Sequence, residues 1–341
     1  VMMNQIKIII ILLFFSAPLS FAQEANLSQF YNFSTSINPS FCGATPYSRV
    51  NFGARNQWIA LNKGYNTSYV GFDHYLKPYY SGLGGFIKYD RSPSGYINLQ
   101  IQGQFSHIVQ VGSKSALRAG IQIGLNNNQF EFNQLLFGDQ ISNDGMQSAN
   151  SIEANNGLGI RKTYLDLGIG LLYYTDKYWI GASASHLNKP NVGFGNAIST
   201  LPIAFNIHTG ARIYVGREKG IQREVRKTFS PAMMVRNSFN RFQFDFTGIY
   251  NLQPLLLGFG YRGLPILKYD QLQNDALMLL VGYKSPTIML AYAYDLTISS
   301  LGLSTLGSHE ISVVIEFGDR VGSFKKGSRL INTPFPILYS N

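Results

Sequence analysis

Apolar and polar residues take turns along most of this chain. From Ile97 the odd positions are Ile97, Leu99, Ile101, Gly103 and Phe105, and the even ones are Asn98, Gln100, Gln102, Gln104 and Ser106. An extended strand sends these two sets to opposite faces, whereas a helix would scatter both around its circumference. The next segment repeats the pattern, with Leu117, Ala119, Ile121, Ile123 and Leu125 set against Arg118, Gly120, Gln122, Gly124 and Asn126. Similar runs start at Val50, Leu165, Ile203, Phe242 and Ile311. About 14 such segments can be counted, many near the ~10 residues that a tilted membrane strand needs.

Soluble sandwiches alternate as well, and three features favour a transmembrane, antiparallel up-and-down β-barrel. The polar face is built from rows of Asn, Gln, Gly and Ser, suited to a hydrated lumen. Aromatic residues (Trp58, Tyr79-Tyr80, Tyr173-Tyr174, Tyr178-Trp179) fall near strand ends, where interfacial girdles lie. Loop lengths also alternate. With a periplasmic N-terminus, the inner turns fall near 77–81, 112–115, 175–177, 251–253 and 284–286, and the longer outer loops near 127–161, 187–201, 263–275 and 296–307. One connection breaks this parity: 215–230 should be a short inner turn, yet it is long and basic. Either the strand expected at 232–237 is misplaced, or a basic loop projects into the periplasm.

The remaining segments divide the chain. Lys7 followed by the apolar run Ile8 to Phe15 and by Ser20-Phe21-Ala22 predicts a signal peptide over 1–22, cleaved before Gln23. That apolar run is too short to span a bilayer as a helix, and no run after it is long and apolar enough either. Residues 23–47 are expected as a periplasmic N-terminal segment, 48–317 as the barrel, and 318–341 as a periplasmic tail, since an even strand count leaves both ends on one side. Cys42 is the sole cysteine, which excludes an intrachain disulfide and cysteine-based zinc or redox motifs. The formal net charge of +10 fits ordinary surface charge as well as it fits anionic lipid or acidic partners.

Catalytic chemistry finds little support. Ser106-His107, Ser185-His186 and Ser308-His309 are neighbours on strands, so each pair points to opposite faces and cannot act as nucleophile and base. His309-Glu310 lacks a second histidine at helical spacing, and His74, His107 and His208 lie on separate strands. Gly168-Ile169-Gly170 lacks phosphate-loop spacing and reads as relief of crowding. No catalytic, metal or cofactor residues are therefore assigned. Arg49, Arg55, Arg118, Arg212 and Arg262 on polar faces are expected to pair with Asp73, Asp90, Asp166, Asp245 and Glu316 across the lumen, which implies a filled interior more than a wide pore.

An ordered set of short motifs resembles one family. Ser28-Gln29-Phe30-Tyr31 with Asn38-Pro39-Ser40-Phe41, Arg55-Asn56-Gln57-Trp58, Phe137-Gly138-Asp139-Gln140, Ser185-His186-Leu187-Asn188-Lys189-Pro190, Tyr292-Ala293-Tyr294-Asp295 and Gly307-Ser308-His309-Glu310 are similar to motifs of PorP/SprF proteins. These are outer-membrane components of the type IX secretion system and gliding machinery of Bacteroidetes. Two motifs depart from the family pattern: Ser40 stands where an alanine is usual, and Ile59 where a proline is common. The resemblance implies a non-enzymatic outer-membrane barrel, associated with other secretion components and with the C-terminal sorting domains of large secreted cargo or adhesins. Its motif residues, Trp58, His186, Tyr294, Asp295, His309 and Glu310 among them, carry over as family features, with fold maintenance as the plainer role. Docking of partners is expected on the basic periplasmic segments, through Arg217, Lys219, Arg223, Arg226 and Lys227 and through Arg320, Lys325, Lys326 and Arg329. Outer-membrane lipids surround the barrel, and nucleic acid is not an expected partner. The alternative function is a channel or apolar-solute transporter.

Overall fold

The computed structural model describes residues 27–60, 64–131, 141–142, 145–146, 161–195, 197–219, 224–238, 241–263, 276–298 and 303–318. The strands are β1 (Ser48–Gln57), β2 (Tyr65–Leu76), β3 (Ser81–Arg91), β4 (Tyr96–Gly112), β5 (Ser115–Phe130), two-residue β6 (Ile141–Ser142) and β7 (Gly145–Met146), β8 (Arg161–Thr175) and β9 (Tyr178–Ser185). They continue as β10 (Ala204–Ala211), β11 (Ile213–Lys219), β12 (Glu224–Ser238), β13 (Arg241–Leu252), β14 (Leu255–Gly263), β15 (Ala276–Lys284), β16 (Ile288–Thr297) and β17 (Ser308–Phe317). Fifteen of these form one antiparallel sheet; β6 and β7 pair only with each other. β10 and β11 are the two halves of one stave, interrupted at Arg212, so the wall has 14 staves. β1 pairs with β17 along its whole length, and β10 pairs with both β9 and β12, which closes the cylinder. Closure removes the sheet edges that a lipid environment would leave unpaired.

Period-two alternation decides which face each residue takes. On β4, Ile101 and Phe105 are exposed while Gln102, Gln104 and Ser106 are buried in the lumen. On β5, Leu117, Ile121, Ile123 and Leu125 face out and Arg118 and Asn126 face in. Alternation also corrects part of the expected girdle. Tyr79, Tyr80, Tyr173 and Tyr178 are exposed, but Tyr174 and Trp179 are buried, because on the strands β8 and β9 the residue after an outward-facing one must turn inward.

Connections at one end are short: 77–80, 113–114, 176–177, 253–254 and 285–287. This is the inner end. The parity break at 215–230 resolves into structure. β12 includes the expected strand at 232–237, and its first residues pair with β11 from Ile213↔Phe229 to Lys219↔Glu224. Pairing to the neighbouring staves stops at Ala211↔Tyr178 and Thr228↔Asn251. The segment is thus a β-ribbon running past the inner rim, not a loop.

The placement of residues 23–47 in the periplasm is corrected for the described part. Residues 27–47 lie inside the barrel, as a chain with one helical turn (Ser34–Ile37) and one 3-10 turn (Pro39–Phe41). Phe30, Tyr31, Phe33 and Phe41 are buried there against inward wall residues such as Leu172, Met234 and Tyr69. Apolar surface in this segment has nowhere else to go, since neither periplasm nor lumenal water would favour it. Wall glycines make the fit possible. A Cβ on Gly82 would meet the Cys42 carbonyl oxygen at 2.1 Å, and one on Gly170 would meet the Asn38 side chain at 2.0 Å. Cys42 is wholly buried in this arrangement. The thiol is therefore expected to resist a maleimide reagent in the detergent-folded barrel and to label fully after heat denaturation, as read by a gel shift.

Candidate functional site

The lumenal segment has little secondary structure, so most of its peptide groups need partners from the wall. Inward side chains supply them. The side-chain amides of Asn51 and Gln104 donate to the carbonyls of Asn32 and Thr35 at 2.6 and 2.7 Å. Ser183 donates to the Ile37 carbonyl at 2.6 Å, and Arg118 and Ser106 both donate to the Cys42 carbonyl at 2.7 Å. In the other direction the Gly43 N–H donates to Asp73 at 3.1 Å, and Asp73 also binds Arg49 at 2.8 Å. Asn38 ties the segment to β8 and β9: its amide donates to the carbonyls of Leu171 and Ala182 at 3.0 and 3.1 Å, while its oxygen accepts from the Ser40 N–H.

The densest contact is a latch near the outer end of the barrel. The peptide N–H groups of Ser28 and Gln29 donate to the two Glu310 carboxylate oxygens at 2.7 and 2.8 Å. The Arg55 guanidinium lies 2.7 Å from Asp295 and 3.2 Å from Glu310, and also donates to the Ser28 hydroxyl at 2.6 Å. That hydroxyl donates to Asp295. Arg262 extends the network, 2.9 Å from Asp245 and 3.6 Å from Asp295. All five charged side chains are at most 7% exposed, so each attraction acts with little screening by water. Gln29 adds bonds to the Glu310 carbonyl and the Ser312 hydroxyl.

Four motifs far apart in sequence therefore meet at one place: Ser28-Gln29, Arg55, Asp295 and Glu310. Phe30 and Tyr31 pack edge to face beside them, and Pro39 starts the 3-10 turn next to Asn38. The other motif residues sit elsewhere. Asn56 and Gln57 pair in register with His309 and Ser308. Trp58, at φ 60, packs edge to face against Tyr65. His186, just beyond β9, binds Asp166 through Nδ1 at 2.8 Å. His309 faces outward, between Tyr292 and Tyr294. The expected lumenal pairings change accordingly. Arg49–Asp73 and Arg262–Asp245 form, but Arg118 serves a carbonyl, Arg55 turns to Asp295 and Glu310, and Asp166 goes to His186.

Of the expected docking residues, Arg217, Lys219, Arg226 and Lys227 lie on the ribbon of β11 and β12. Arg223, Arg320, Lys325, Lys326 and Arg329 lie outside the described residues, as do Phe137 to Gln140. Sequence reasoning missed Ser28 and Asn38 as anchors of a lumenal segment. The available signal was the run of aromatics Phe30, Tyr31, Phe33 and Phe41, too apolar for an exposed linker.

With the filled barrel described, comparison with known proteins identifies the chain. A family model described as type IX secretion system membrane protein PorP/SprF matches residues 19–315. The chain belongs to this family. No curated protein matches the sequence. Among solved structures, CymD, a monoaromatic hydrocarbon channel, is 12% identical with a TM-score of 0.53, covering 86% of this chain and 94% of its own. The P. putida toluene transporter TodX is 12% identical at a TM-score of 0.45, covering 83% and 94%. CdiB from Acinetobacter baumannii is 7% identical at 0.41, covering 80% and 60%. At such identity the likeness to CymD is one of fold. This PorP/SprF protein is an outer-membrane barrel of the type IX secretion system.

Breaking one partner of a buried ion pair leaves the other uncompensated, at about 3–5 kcal/mol. Arg55→Ala and Glu310→Ala are therefore each expected to lower the unfolding midpoint and to make Cys42 react with maleimide in the folded barrel. Asn56→Ala, outside the latch, should do neither, and the same gel assay reads all three.

Proposed function

We propose that this PorP/SprF protein is a non-enzymatic secretion component whose barrel is a closed anchor and whose work is done at its periplasmic face. There it docks other type IX components or the C-terminal domain of a secreted cargo. One observation carries this reading: the lumen is occupied by residues 27–47, latched through Ser28, Arg55, Asp295 and Glu310. The inward polar groups named above are engaged in holding that segment, which leaves the rims as the surfaces for recognition. At the inner rim stands the basic ribbon of β11 and β12.

The alternative, a channel for apolar solutes, draws on the fold shared with the hydrocarbon channel CymD. It requires the lumenal segment to move, since its aromatic side chains fill the path. Two measurements separate the readings. In planar bilayers the wild-type barrel is expected to stay closed, and sustained single-channel conductance would favour the channel. In a pull-down from cells, replacing 216–227 by a short turn, or removing 319–341, should reduce recovery of secretion partners several-fold. Unchanged recovery from both truncations would end the docking reading. The ribbon deletion stops at Lys227 because Thr228 already pairs with β13.

A further inference from the structure

The motif Ser185-His186-Leu187-Asn188-Lys189-Pro190 has no part in the latch, and the wall around it shows what it holds. β8 pairs with β5 along its length, from Ser115↔Thr175 to Gln129↔Arg161. On its other side β9 is shorter, and the pairing runs only from Tyr174↔Trp179 to Ile169↔Ala184. Among the described residues, then, the outer part of β8, from Arg161 to Gly168, has no strand on that side. A strand flank left bare in a membrane wall is costly, because lipid offers its peptide groups no partners.

The motif covers part of this flank. The chain leaves β9 through His186, whose φ of 60 turns it out of the strand path. A residue other than glycine is strained in that conformation unless its surroundings hold it. Asp166 holds it from the lumen: one carboxylate oxygen accepts from the His186 N–H at 3.1 Å and lies 2.8 Å from the ring Nδ1. Beyond the turn, the Leu187 N–H donates to the Leu167 carbonyl at 3.0 Å. Asn188 adds its side chain. Its carboxamide oxygen accepts from the Leu167 N–H at 3.3 Å, and its nitrogen donates to the Leu165 carbonyl at 2.7 Å. One side-chain amide thus does the work of the carbonyl and the N–H that a longer β9 would supply. The far end is fixed as well, since the Lys189 N–H donates to the His186 carbonyl and the Leu201 N–H to the Pro190 carbonyl, both at 2.9 Å.

We propose that residues 186–190 are a strap that closes the outer part of the wall between β8 and β9, with Asn188 as its clasp, and that this joint opens sideways before any strand pair separates. Strand pairs must unzip as cooperative ladders. Here two of the bonds come from one exposed side chain, which is released by rotating about its own bonds. Counted round the staves, the joint lies nearly opposite the seam of β1 and β17, so lifting the strap leaves the latch in place. The opening ends where the lumenal segment grips both strands, because Asn38 donates to the carbonyls of Leu171 on β8 and Ala182 on β9. The barrel thereby gains a side opening at its outer end while its lumen stays filled.

Amide hydrogen exchange of the full chain in nanodiscs, read residue by residue, tests this. In the wild type, the Leu167 and Leu187 amides are expected to exchange through a local opening that precedes exchange of the β8 amides between Ile169 and Tyr174. Asn188→Leu keeps the size of the side chain and removes its bonds. It should speed exchange at Leu167 about tenfold or more, while Ile169 to Tyr174 and the protection of Cys42 stay unchanged. His186→Gly relaxes the turn but removes the tether to Asp166, and should speed exchange at both Leu167 and Leu187. Unaltered exchange at Leu167 in Asn188→Leu would overturn the proposal. So would a wild-type Leu167 that opens only together with the rest of β8, a measurement that decides the matter even if neither variant folds. Loss of Cys42 protection in a folded Asn188→Leu barrel would also overturn it, because Asn188 would then hold the lumenal filling and not a local strap.

Discussion

The structure depends on satisfying the backbone of an irregular segment in a space that bulk water does not fill. Residues 27–47 bond to themselves mostly at local turns, such as the Asn32 N–H to the Gln29 carbonyl and the Ala44 N–H to the Phe41 carbonyl, and a peptide group left bare in such a place costs several kcal/mol. The wall answers with Asn, Gln, Ser and Arg side chains aimed at specific carbonyls: Asn51 at Asn32, Gln104 at Thr35, Ser183 at Ile37, Arg118 at Cys42. The polar rows that look suited to a watery pore are a negative of the segment they hold. Lipid on the outside enforces the other half of the alternation, so both faces of each strand are specified and the register has little freedom to slip.

That dual constraint explains what could be read in advance. The strands were legible because period two is a strong signal over ten or more residues, as on β4 and β5, where Ile101, Phe105, Leu117, Ile121, Ile123 and Leu125 all face lipid, although Ile97 at the outer end of β4 is buried. The inner turns were legible because they are short. The lumenal segment was not, because it has no period. Its aromatics pack into two clusters, Phe30, Tyr31 and Phe41 with Leu172 and Met234 and Phe33 with Tyr69, which come together only once the cylinder closes. Tyr174 and Trp179 were misjudged for the same reason: an aromatic near a strand end belongs to the lipid interface or to the lumen depending on a one-residue phase. The ribbon showed itself as a broken rule, since a long basic stretch where a turn belongs signals an element with a separate job.

The latch was half legible. Arg55, Asp295 and Glu310 stood out as charged residues on strand faces, but cross-strand neighbours alone would have paired Arg55 with Glu310 and stopped there, as the register does. The third party, Ser28, comes from outside the wall. Two guanidiniums face three carboxylates in this cluster, and the excess negative charge is met by the peptide N–H groups of Ser28 and Gln29. An apolar filling would have filled the lumen equally well. Charges with strict geometry add a single seating, because a shifted segment would leave Glu310 to Arg55 alone and take away the peptide N–H donors of Ser28 and Gln29.

The position of the latch carries a further consequence. β1 and β17 are the first and last strands, and their pairing is the seam by which the cylinder closes. Arg55 lies on β1, Glu310 on β17 and Asp295 on β16, so the cluster straddles that seam, and Ser28 bonds to all three residues. The lumenal segment then runs the depth of the barrel and becomes β1 at Ser48. It is covalently part of one side of the seam and hydrogen-bonded to the other. Filling the barrel and closing it are therefore the same event energetically: a wall without the segment loses its clasp, and a segment without the closed wall loses the partners its backbone requires. A barrel built this way is a rigid body in the membrane, and any adaptability needed for recognition has to lie at its rims.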